Sequence, residues 1–222
     1  QCMTYAEAVK IWSSSTDYVL SLIRNIDCAD LFLQALKNLH GCLAVVPHFG
    51  TWELLNLWLN QHTSPLIMYK PSKNQNLDRF TLEARQCLNV TLVATNDSGV
   101  RTLFKCSKQA GFSAILPDHV PKKSGGIYSL FYNQNALFSI LLSKLAAKTQ
   151  CSVIELSCLR RNDLSGYDII VTQLSDIILS KDLQRSVDTL NKEMERMINV
   201  APEQYLWRDK RFSKTLNKKK FY

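Results

Sequence analysis

Within Val45-Val46-Pro47-His48-Phe49-Gly50-Thr51-Trp52-Glu53-Leu54-Leu55, an imidazole, a glycine and a carboxylate fall inside six residues. A carboxylate touching one imidazole nitrogen fixes the tautomer and leaves the other nitrogen basic, which is the arrangement of a general base. Whether His48 and Glu53 can meet depends on the backbone. In one continuous helix they would lie roughly 140° apart, at about 3.6 residues per turn. They meet only if His48 sits in a turn, and Gly50 gives that turn its latitude. The flanks ask for the same thing. The apolar run from Cys42 stops at Pro47, and Trp52 to Leu59 resumes with helical spacing, so the stretch reads as strand, tight turn and helix start. Spacing alone more often belongs to an unrelated surface or capping pair, so the surrounding elements must decide.

Two further polar residues fall where apolar runs end: Lys70 after a strand over 65–69, and Asp118 after a strand over 112–116. Open α/β sheets bind ligands beyond the carboxyl ends of their strands, so His48, Lys70 and Asp118 share an expected location. Arg85, on a helix over 75–87, could reach that mouth or make a surface salt bridge. Asp118 could also serve only as a turn residue. His40, His62 and His119 stand in turns without a partner at useful spacing and read as structural. There is no serine elbow, Walker loop or dinucleotide fingerprint.

The elements around these residues alternate. Helical periodicity covers 4–24, 29–39, 52–59, 75–87, 97–108, 136–148 and 182–200. Strands are expected at 42–46, 65–69, 90–94, 112–116, 127–131, 151–159 and 166–174. That pattern predicts an α/β three-layer sandwich, a mostly parallel or mixed central sheet flanked by helices. At 222 residues, 46% hydrophobic and 21% charged, the chain is expected to form one domain spanning 1–222 rather than a disordered polymer.

The net charge of +8 collects at the end of the chain, in Arg208, Lys210, Arg211, Lys214, Lys218, Lys219 and Lys220. Such a tail suits anionic lipid, an acidic protein or nucleic acid. No nucleic-acid reading motif or aromatic–basic interleaving accompanies it, so no nucleic-acid partner is expected. Seven cysteines, with no Cys-x-x-Cys pair, indicate neither zinc nor a disulfide framework, and a reducing cytosolic setting is expected. No run approaches the roughly 18 apolar residues of a membrane span, and no signal peptide opens the sequence. Because it begins at Gln1, a preceding segment is expected.

Four strings in order, PHFGTWELL, MYKPSKN, ILPDHVPKKSGGIYSLFYNQNA and PEQYLWRDKRFSK, closely resemble the late lipid A biosynthesis acyltransferases, the lauroyl/myristoyl transferases of Gram-negative bacteria. The likeness runs from about residue 5 to residue 214, within the wider glycerolipid acyltransferase superfamily and its expected fold. It implies His48 as catalytic histidine and Glu53 as its acidic partner, with Arg85, Asp118, Lys70 and Gly50 toward the substrates. It implies transfer of a fatty acyl chain from acyl carrier protein to a lipid A precursor at the cytoplasmic face of the inner membrane, without a cofactor or metal. Anionic lipid would be the docking surface, approached by Lys70, Lys122, Lys123 and the basic tail. The family's N-terminal membrane helix is not among these 222 residues. Lys70 stands where arginine is usual, His119 where glutamine is, and Asp209 where histidine is. An Arg-to-Lys exchange keeps charge but forfeits bidentate phosphate recognition. Lysophosphatidic acid or another glycolipid as acceptor, and a non-catalytic membrane-associated scaffold, are the alternative readings.

Overall fold

A strand with no polar alternate must be covered on both faces, and the run beginning at Cys42 is covered in that way. In the computed structural model, which describes residues 2–69, 71, 74–86 and 90–215, Leu43 and Val45 enter one core. Cys42, Ala44 and Val46 enter a second core on the opposite side. Strands are numbered in chain order: β1 (Ile23–Asp27), β2 (Cys42–Val45), β3 (Leu66–Tyr69), β4 (Thr91–Ala94), β5 (Phe112–Ile115), β6 (Gly126–Phe131), β7 (Gln134–Ser139), β8 (Ser152–Arg160) and β9 (Tyr167–Gln173). Seven of them form one sheet in the order β1-β9-β8-β2-β5-β3-β4. Its neighbours run parallel except β8 and β9. Strands β6 and β7 make a separate antiparallel hairpin.

The helices are α1 (Cys2–Trp12), α2 (Thr16–Leu20), α3 (Ala29–Leu36), α4 (Trp52–Asn60), α5 (Gln75–Gln86), α6 (Asp97–Lys108), α7 (Leu141–Thr149) and α8 (Leu183–Ile198). The first core takes Leu103 from α6, Leu145 from α7, and Leu190 and Met194 from α8, together with Phe131 and Phe138 of the hairpin. The second takes Ile11, Phe32, Leu54, Leu55 and Leu59 from α1, α3 and α4. This is the expected three-layer α/β sandwich. Leu54, Leu55 and Leu59 are no more than 1% exposed. Each such burial contributes about 1.5–3 kcal/mol, which ties the start of α4, and Glu53 with it, rigidly to the sheet.

Two expectations are corrected. Residues 4–24 are not one helix. The Ser13-Ser14-Ser15 run breaks it, with the Ser13 hydroxyl bonded back to Val9 O and Ser15 capping α2; β1 then joins the sheet edge beside β9. Residues 136–148 are also divided. Tyr132 and Asn133 both adopt positive φ, 46° and 60°, which is the conformation of a two-residue hairpin turn. The chain therefore reverses into β7, and the helix begins only at Leu141. Ala136, Leu137 and Phe138 are all buried, so no period-2 alternation marked that strand.

Candidate active site

Strands β2 and β5 are parallel neighbours, with Val45 opposite Ile115. Each is followed three residues later by a polar side chain after a proline: Pro47-His48 and Pro117-Asp118. Equal offsets from paired residues bring His48 and Asp118 together at the carboxyl edge of the sheet. Asp118 holds the histidine twice. Its Oδ2 accepts the His48 backbone N–H and its Oδ1 meets Nδ1, both at 2.9 Å. His48 is 9% exposed and Asp118 4%. Burial by itself would raise the Asp118 carboxyl. The His48 charge, the two hydrogen bonds and nearby His119 outweigh it and hold the carboxyl well below the usual range. An ionised Asp118 can only accept, so Nδ1 carries the proton and Nε2 is the basic nitrogen. The Trp52 and His119 rings stand against the imidazole, at centroid distances of 5.0 and 4.5 Å.

The turn after His48 is clamped by main-chain bonds. Phe49 bridges to Tyr205, and Leu206 N–H donates to His48 O at 2.9 Å. Gly50 N–H donates to Gln204 O at 3.1 Å, and Thr51 N–H to Cys158 O at 2.7 Å. Gly50 has φ +66°, and a Cβ there would stand 2.1 Å from Cys158 O, so glycine is required for this approach to β8. The Pro202–Leu206 ending is therefore a strap over the histidine turn, a role that no spacing in the sequence announced. Gly50 N–H, expected near substrate, already has its acceptor.

Glu53 lies in the first turn of α4 and is bonded elsewhere. Arg85 from α5 makes a two-pronged contact, Nη2 to Oε1 and Nε to Oε2, the latter at 3.1 Å. Trp12 Nε1 of α1 donates to Oε2 at 3.1 Å. The carboxylate on His48 Nδ1 is thus Asp118, and the expected His48–Glu53 contact gives way to a Glu53–Arg85 pair beside it. A cleft of about 130 Å³ opens there, lined by Trp12, Glu53, Asn56, Leu57 and Arg85. Lys122 and Lys123 are exposed, Lys70 lies outside the described residues, and so do Lys218, Lys219 and Lys220. His119, expected to be structural, instead stands beside His48. The residues that spacing missed are Glu7, whose carboxylate accepts the Thr51 hydroxyl at 3.1 Å, and Trp12.

A mostly parallel α/β sheet with a buried histidine–aspartate pair at its carboxyl edge defines a protein equipped for proton transfer at that edge. The chain belongs to the bacterial lipid A biosynthesis acyltransferase family, whose profile matches residues 2–214. It is similar to the lipid A biosynthesis palmitoleoyltransferase of Escherichia coli K12, 23% identical over 189 residues, 85% of this chain and 61% of that protein. Similarity to the lipid A biosynthesis lauroyltransferase of the same organism is 26% over 181 residues, 81% of this chain and 58% of the relative. A lipid A biosynthesis acyltransferase of Haemophilus influenzae is 22% identical over 175 residues, 78% of this chain and 54% of the relative. The chain thus spans roughly three-fifths of the length of the curated relatives it matches.

Proposed function

We propose that the protein transfers a fatty acyl chain from a carrier-protein thioester to a hydroxyl of a lipid A precursor, with His48 as general base. The observation carrying this reading is the His48–Asp118 pair, buried at the strand ends within a chain of this family. Nε2 takes the proton of the acceptor hydroxyl as its oxygen attacks the thioester carbon. Asp118 orients the ring and stabilises the imidazolium, and a base of this kind contributes roughly 10²–10⁴-fold. The tetrahedral intermediate collapses by breaking the carbon–sulfur bond, and the imidazolium returns its proton to the departing thiolate. No covalent enzyme intermediate is required.

The oxyanion needs donors. Since Gly50 and Thr51 N–H groups are bonded to Gln204 and Cys158, the next backbone donors along the chain are those of Trp52 and Glu53 at the start of α4. The Glu53–Arg85 pair presents a fixed guanidinium at the rim of the site. Exposed Lys122 and Lys123 suit acceptor phosphates and an acidic carrier protein. Exposed Tyr5, Val9 and Phe80, together with the +8 charge, suit an anionic membrane surface at the cytoplasmic face of the inner membrane. Among the described residues no helix is long and apolar enough to cross a membrane.

The test is a mass-spectrometric transfer assay on wild type and His48→Ala, with acyl carrier proteins of mixed chain length. A lipid A precursor and lysophosphatidic acid are offered side by side. Histidine-dependent addition of one chain to the lipid A precursor is expected. Transfer to lysophosphatidic acid alone, or undiminished transfer by a folded His48→Ala protein, overturns the reading.

A further inference from the structure

Thr51 is the N-cap residue of α4, yet its side chain makes no cap bond. A capping threonine ordinarily accepts one of the helix's first N–H groups, a contact worth about 1 kcal/mol. Here the hydroxyl turns away and donates to Glu7 Oε2 of α1 at 3.1 Å. A local rule set aside three residues from His48 marks a constraint imposed by something other than stability.

Glu7 does more than receive Thr51. Its side chain is 12% exposed, and its carboxylate takes both Nε and Nη2 of Arg160, the latter at 2.9 Å. Burial and the nearby Glu7 charge push the Tyr167 phenol up. Arg160 ends β8, and its backbone is locked to the Gln204 side chain by a reciprocal pair of 3.0 Å bonds, N–H to Oε1 and O from Nε2. Gln204 O in turn accepts Gly50 N–H. Glu7 is therefore where the helix, the end of β8 and the strap over the histidine turn are joined. Five residues along the same helix, Trp12 reaches Glu53. Helix α1 thus grips the turn at Thr51 and Glu53, while Asp118 grips it at His48.

We propose that Glu7 is a positioning residue for the transfer centre: acting through Thr51, it sets the turn that carries His48 and the first amides of α4. It touches no reactant. The kinetic consequence rests on the acyl-transfer reading, and the structural one does not. Removing the Thr51 contact should lower kcat about tenfold, since misplacement of roughly 1 Å can cost on the order of 10²-fold, and leave KM for the acceptor within about twofold.

Three single variants and one double variant test this. Thr51→Val should lose that factor in kcat, whereas Thr51→Ser, which keeps the hydroxyl, should restore it. Glu7→Ala, which leaves no acceptor for the hydroxyl and also releases Arg160, should lose at least as much as Thr51→Val. The double variant should be no worse than Glu7→Ala alone, because the Thr51 contact can be lost only once. Thr51→Val leaves the Glu7–Arg160 pair intact, so it carries the test even if Glu7→Ala folds poorly. Amide exchange read by mass spectrometry over Phe49 to Leu54 should quicken about tenfold in Thr51→Val, with β2 unchanged. Unaltered exchange, or losses that add in the double variant, overturns the proposal. If the wild type transfers no acyl chain, a loosened turn still sustains the brace while the acyl-transfer reading falls.

Discussion

Asp118 grips His48 at two points, accepting the backbone N–H on Oδ2 and Nδ1 on Oδ1, each at 2.9 Å. One carboxylate thus fixes both where the residue sits and how its ring is turned. Asp118→Asn keeps the shape but offers an amide that can donate to Nδ1 and favour the wrong tautomer. Turnover should fall roughly 10²–10⁴-fold with little change in acceptor KM. A transfer assay on the purified variant, with circular dichroism to establish folding, checks this. Activity within a few-fold of wild type would remove Asp118 from the mechanism.

Much of this pair was legible in the sequence, and part of it could not be. An apolar run, a proline and a polar residue recur at Val45-Val46-Pro47-His48 and Ile115-Leu116-Pro117-Asp118, which marks both as strand ends over one edge. The pairing of Val45 with Ile115 is a property of the folded sheet, written in neither segment. Glu53 drew attention because it is close in sequence, yet the carboxylate on the ring comes from 70 residues away. Edge strand β1 was hidden because Leu22 and Ile23 continue a helical period begun upstream at Ala8, across the Ser13-Ser14-Ser15 run that ends the first helix. Strand β7 was hidden because both of its faces are covered.

Glu53 and Arg85 form a two-pronged pair whose side chains are 7% and 21% exposed. Removing one partner from such a buried pair leaves the other charge uncompensated, at a cost of about 3–5 kcal/mol. Arg85→Met should therefore destabilise by about 3 kcal/mol, and adding Glu53→Leu should recover most of the loss. Urea unfolding of wild type, both singles and the double variant measures the coupling. Strictly additive effects would show that the pair is not a unit.

Gly50→Ala separates backbone geometry from chemistry, because no side-chain function is removed. The new Cβ would meet Cys158 O at 2.1 Å in a residue with φ +66°, and the obstacle is main chain in the sheet. Destabilisation of about 2 kcal/mol or more is expected, together with a loss of turnover as the histidine turn lifts from β8. Thermal melting and the transfer assay read the two effects. An alanine variant with wild-type melting would contradict the close approach.

Away from the site, Glu155 sits 4% exposed on β8 beneath α8, with Arg196 Nη2 at 3.1 Å from its Oε2. Burial pushes its carboxyl up from 4.5 to about 8, against the lowering pull of Arg196 and with a further push from Glu193. The Arg196 side chain is half exposed, so its charge is shared with water and does not offset the desolvation. The folded state therefore binds this proton more tightly than the unfolded chain. Its contribution to stability is fully present below pH 4.5 and is lost as pH rises through about 8. Urea unfolding at pH 5.5 and 8.5 should show the wild type weakening on the order of a few kcal/mol more than Glu155→Gln, whose neutral amide removes the titration. Parallel stability profiles for the two proteins would mean that Arg196 keeps Glu155 ionised at ordinary pH.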